Sequence, residues 1–124
     1  MNENESIAFY AFLNALGTTT AAIGSTPTIV LMEPTKKDLG IIGNALQAAG
    51  SGLQADISED APDIYGNGLQ AMGNTLVIYG LMDNADDDND QRWQITGNWF
   101  QALGGSYSLK TNFDSEDINQ KQAL

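Results

Sequence analysis

Nine glycines recur at intervals of seven residues in four stretches of this chain: Gly17 and Gly24; Gly43 and Gly50; Gly66, Gly73 and Gly80; Gly97 and Gly104. Seven residues is nearly two helical turns, so each set falls on one stripe of a helix. Glycine in a helix interior costs about 1 kcal/mol relative to alanine. Nine of them therefore stand against a sizeable part of the roughly 5–15 kcal/mol that holds a domain together, and something must offset them. The simplest candidate is close approach of helix backbones where no Cβ intervenes, which adds dispersion and Cα–H···O contacts. Gly17, Gly43, Gly50, Gly66, Gly73, Gly97 and Gly104 are accordingly the expected helix-packing positions. Gly24 and Gly80 could instead be C-caps, although capping does not account for a common period.

The same four stretches are free of charge: residues 6 to 32, 39 to 55, 64 to 82 and 93 to 109 hold no Asp, Glu, Lys or Arg. Three carry one phrase, GNALQAAG (43 to 50), GNGLQAMG (66 to 73) and GNWFQALG (97 to 104), with a looser YAFLNALG at 10 to 17. Equivalent glycines are unevenly spaced along the chain, which rules out a solenoid of one fixed unit. With glycine as heptad position a, Asn falls at b (Asn44, Asn67, Asn98), Leu or Phe at d (Leu46, Leu69, Phe100) and Gln at e (Gln47, Gln70, Gln101). On a helical wheel the glycine stripe is then bordered by apolar residues on one flank and by amides on the other.

Ser6, Thr35 and Asp60 are plausible N-caps, Pro62 suits a first turn, and Asp88 with Gln91 resembles a capping box. Breaks are expected at GSTP (24 to 27), Pro34, DISED (56 to 60), DNADDDND (83 to 90) and near Asn112. These signals predict helices at about 6–23, 36–56, 61–82, 89–110 and 115–122. TIVLM (28 to 32) is too short to distinguish strand from helix and reads as a buried connector or a short helix. The expected fold is all-α: one domain over residues 1–124, a bundle of four similar glycine-heptad helices with a short C-terminal helix.

Sixteen acids against five bases give a net charge of -11, which repels phosphate backbones and argues against nucleic-acid binding. The chain has no cysteine and no histidine, which removes thiol chemistry, the usual general base near neutral pH and the commonest metal ligands. The acids lie between the uncharged stretches, where solvation keeps them ordinary, so no catalytic residue and no cofactor is expected. The N-terminus MNENESIAFY lacks the positive region of a secretory signal, which points to the cytoplasm.

Two motifs have plainer readings. Asn84, Asp86, Asp88 and Asp90 alternate like the first positions of a calcium loop, but Asn89 stands where glycine is needed and Ile95 where the bidentate glutamate is needed. A solvated turn is the better account. GSGLQA (50 to 55) matches a dinucleotide fingerprint in letters only, since the residues before it follow helical heptads and not a strand.

The uncharged stretches raise the question of a membrane. Their Asn, Gln and Thr residues, and the acidic segments between them, argue against spanning. The aromatics Phe9, Tyr10, Phe12, Trp93, Trp99, Phe100 and Tyr107 are expected to fill the core. Trp99 stands where the other repeats have Ala45 and Gly68, and so marks a possible interaction surface.

AIGSTP, GNALQAAG, GNGLQAMG and GNWFQALG resemble a family of small repetitive proteins from Bacillus and its relatives over roughly residues 8 to 110. The resemblance implies an all-helical protein and carries no assigned chemistry. Taken together, the sequence predicts a soluble, acidic, non-enzymatic helical protein that acts through a protein partner or by self-association. A membrane-associated helical protein and a weak calcium-responsive module are the alternatives.

Overall fold

The computed structural model describes residues 1–27, 30–82 and 88–123. Four helices follow one another in antiparallel order: α1 (Glu3–Ser25), α2 (Glu33–Ile57), α3 (Ala61–Met82) and α4 (Asp88–Gln122). Residues 115–122 are helical as expected, but they continue α4 without a break near Asn112.

The helix starts depart from expectation in two places. Asn2, and not Ser6, caps α1: its Oδ1 accepts from the Glu5 N–H while Glu5 Oε2 accepts from the Asn2 N–H, both at 2.9 Å. Pro34 lies inside the first turn of α2, where its missing N–H has no partner to lose. The break therefore falls before Pro34. Within TIVLM, residues 30–32 form no regular element and Val30 and Met32 are exposed, not buried; residues 28 and 29 lie outside the described residues.

Adjacent helices meet backbone to backbone at the glycines. A methyl group built on Gly73 would lie 2.5 Å from the Gly97 carbonyl oxygen, and one on Gly97 equally close to that of Gly73. The α1–α2 pair repeats the arrangement with Gly17 against the Gly43 carbonyl oxygen at 2.5 Å, and Gly50 against that of Tyr10 at 2.7 Å. Gly24 and Gly80 face the carbonyl oxygens of Lys36 and Asp90 at 2.8 and 2.7 Å, so they too are contact positions. No described glycine has positive φ, hence none is present for a left-handed cap.

The pairings define two zipped hairpins, α1–α2 and α3–α4, joined through α2 and α3. Asn14 Nδ2 donates to Ser51 Oγ at 3.2 Å and Ser51 Oγ donates to Gln70 Oε1 at 3.3 Å, which ties α1, α2 and α3 together. Among the described residues α1 contacts only α2, and α4 contacts only α3. The seam between α1 and α4 is parted.

Candidate site: an amide-lined cleft inside an apolar shell

Burial in this fold is inverted relative to a domain folded in water. The buried positions among the described residues are the nine heptad glycines, Asn44, Ser51, Asn74 and Val77. Val77 is the one large apolar side chain among them, whereas 22 large apolar or aromatic side chains are exposed. Single exposed leucines are ordinary, but buried polar residues under so many exposed large apolar side chains are not. The aromatics expected in the core are mostly outside: Phe12 is 59% exposed and Trp99 68%. Phe9, Trp93 and Tyr107 are exposed as well, and only Tyr10 and Phe100 are half-buried.

The reason is the side on which each helix meets its neighbour. The Gln at position e folds its stem over the partner's glycine: Gln47 Cγ, Gln101 Cγ and Gln70 Cγ each come within 2.8 Å of where a Cβ on Gly17, Gly73 or Gly104 would stand. The amide flank of the stripe thus turns inward. On the other flank Met72 and Leu103 at position g are exposed, while Leu46, Leu69 and Phe100 at position d are half-buried.

A cleft of about 420 Å³ results, reached by all four helices and lined by Asn14 and Thr18, Gln47, Gln70 and Asn74, and Gln101. It shares Thr18, Gln47 and Gln101 with a wider cleft of about 990 Å³ that runs toward the α1–α2 and α3–α4 connections, where Glu33, Lys36 and Asp90 border it. Lys36 Nζ is 3.1 Å from Glu33 Oε1 at this mouth. Within the narrow cleft Asn74 is 2% exposed; its Nδ2 donates to the Gln70 carbonyl at 2.9 Å, but its Oδ1 has no partner in the chain. Gln101 Nε2 is buried and equally without one. A buried polar atom left unpaired costs about 1–3 kcal/mol, so these two groups are the chemically unfinished point of the interior.

Hydroxyls on the helices behave differently. Thr18, Thr19 and Thr20 donate to the carbonyls of Asn14, Ala15 and Leu16 at 2.8–2.9 Å, and Thr75 and Ser106 do the same to Ala71 and Ala102 at 2.9 Å. Each is satisfied within its own helix and asks nothing of the surroundings.

Of the residues singled out from the sequence, Gly17, Gly43, Gly50, Gly66, Gly73, Gly97 and Gly104 sit at interhelical contacts and Trp99 projects outward from α4. Asp90 borders the wide cleft. Asn84, Asp86 and the side chain of Asp88 lie outside the described residues. Ser51, Asn74 and Thr18 were not singled out. Their signal was present, since Ser51, Asn74 and Thr18 each directly follow a heptad glycine, in the position held by Asn44 and Asn98 elsewhere.

These features define a class: an all-helical chain of two glycine-zipped hairpins with a polar interior and an apolar exterior. The chain belongs to a family described as a family of unknown function (DUF6944), whose profile covers residues 5–124. No curated protein and no solved structure matches it.

Proposed function

We propose that this protein is an integral membrane protein whose four helices cross a bilayer as two antiparallel hairpins, and that it acts without catalysis. The observation that carries the reading is the inverted burial: amides, Ser and Gly inside, large apolar side chains outside. A lipid-exposed exterior with polar groups turned into the protein is the partition that hydrocarbon demands.

Four further features support it. The glycine pairings set the uncharged stretches 39 to 55, 64 to 82 and 93 to 109 side by side with the start of 6 to 32, so that they form one slab with all charges at its two ends. Seventeen residues of helix span about 25 Å, near the lower bound for crossing a core of about 30 Å. On the α3–α4 hairpin, Tyr65 and Tyr107 stand at one edge of the slab, and Tyr79 and Trp93 at the other with their rings edge to face at 5.3 Å. All four are exposed, in the places where interfacial aromatics anchor a spanning helix. Small residues at helix contacts and hydroxyls bonded to their own helices are the ordinary devices of membrane bundles. Finally, α1 is long and apolar enough to cross a membrane by length and composition, with only 11% of that stretch buried.

Of the amides that lower the mean hydropathy of the uncharged parts of α2 and α3, Asn44 and Asn74 are buried and Gln47, Gln54, Asn67 and Gln70 half-buried. In water the same exterior would have to be covered by further copies of the chain, which is the self-association reading. Flotation on a density gradient after an alkaline carbonate wash separates the two. The protein is expected to float with the bilayers and to need detergent for release; recovery as a discrete detergent-free oligomer would overturn the membrane assignment.

A further inference from the structure

We infer that the cleft is a water-filled vestibule, continuous with the wider cleft bordered by Glu33, Lys36 and Asp90, which binds a small uncharged polyol at Asn74 and Gln101. This rests on the membrane reading and adds to it a site and a ligand class.

Three observations lead there. First, the wide and narrow clefts are continuous through Thr18, Gln47 and Gln101, so a path lined by polar groups runs from the charged mouth at Lys36 and Asp90 into the uncharged slab. Polar side chains at such depth face water or one another. Second, the path ends on a buried acceptor, Asn74 Oδ1, and a buried donor, Gln101 Nε2, both without partners in the chain. Hydroxyl groups answer both needs, because each can donate one hydrogen bond and accept another. Third, the slab holds no charged side chain, so nothing there compensates an ion taken out of water, and the occupant is neutral. A volume of about 420 Å³ accommodates a molecule with several hydroxyls, which the amides of Gln47 and Gln70 can also meet.

The chain has no cysteine, so single cysteines report accessibility without background. Thr18→Cys and Asn98→Cys would be placed in the clefts, and Met72→Cys and Leu103→Cys on the outward surface, each in the full-length protein in native membranes. A water-soluble sulfonated maleimide is expected to label the first pair about tenfold or more faster, because a thiol in hydrocarbon stays protonated and unreactive. Glycerol is the ligand probe: it is expected to slow labelling of Thr18→Cys severalfold, and this protection is expected to vanish when Gln101→Leu is added while labelling itself persists. Rapid labelling of all four positions would refute the membrane reading. Protection of all four would refute the vestibule while leaving the membrane reading intact. Labelling of the cleft pair with no effect of glycerol would overturn the ligand assignment, and protection that survives Gln101→Leu would overturn the assigned pair.

Discussion

At the scale of single residues, the fold rests on atoms that are missing. Gly73 and Gly68 lie five residues apart on α3, yet a Cβ on Gly73 would meet the Gly97 carbonyl oxygen at 2.5 Å while one on Gly68 would meet nothing within 4 Å. Gly73→Ala must push the α3 and α4 backbones apart and is expected to destabilise by about 1–3 kcal/mol, in the range of overpacked cores. Gly68→Ala only reduces the freedom of the unfolded chain and is expected to stabilise by about 0.5–1 kcal/mol. Thermal unfolding followed by circular dichroism in detergent compares them directly; equal effects would remove the packing account. Ser51 offers a third test, since Ser51→Ala leaves Asn14 and Gln70 without their shared hydroxyl in a part-buried setting. A loss of about 1–3 kcal/mol is expected, whereas Thr75→Ala, whose hydroxyl bonds only within its own exposed turn, is expected to change little.

At the scale of helices, most of the architecture was legible. Seven-residue spacing and uncharged stretches marked four helices, and the predicted span of 61–82 matches α3 from Ala61 to Met82. The helical wheel also divided each glycine stripe into an apolar and an amide flank. What it could not supply was the direction of the interior, because a two-faced pattern is the same read from either side. Water outside selects the apolar flank for the core, whereas the partners of Gly17 and Gly73 select the amide flank; Phe12 and Trp99, expected in the core as aromatics, stand at position c on the far side of the stripe and are exposed. The Asn74–Gln101 pair was invisible for a related reason. It joins position b of one helix to position e of another, and only the crossing of α3 with α4 brings the two into one cleft.

For the whole molecule, the membrane assignment makes a prediction opposite in sign to the aqueous one. Leu103 is exposed near the middle of the slab. In water Leu103→Lys would be neutral or would improve solubility, but in a bilayer a lysine there opposes insertion by about 2.5–3.5 kcal/mol. The variant is expected to reduce the membrane-inserted fraction, measured by protease protection of the connections, while Leu103→Met leaves it unchanged. The glycine pairing has one more consequence. Because the recurrence is regular, sliding α2 along α1 by seven residues, about 10.5 Å, would place Gly50 where Gly43 now meets Gly17, so smooth contact alone does not fix the alignment. In the proposed bilayer arrangement such a slip would carry Asp56 into the hydrocarbon in one direction, and Lys36, Lys37 and Asp38 in the other. The charged ends therefore act as mechanical stops, and neutralising them is the way to let the hairpin jump a notch.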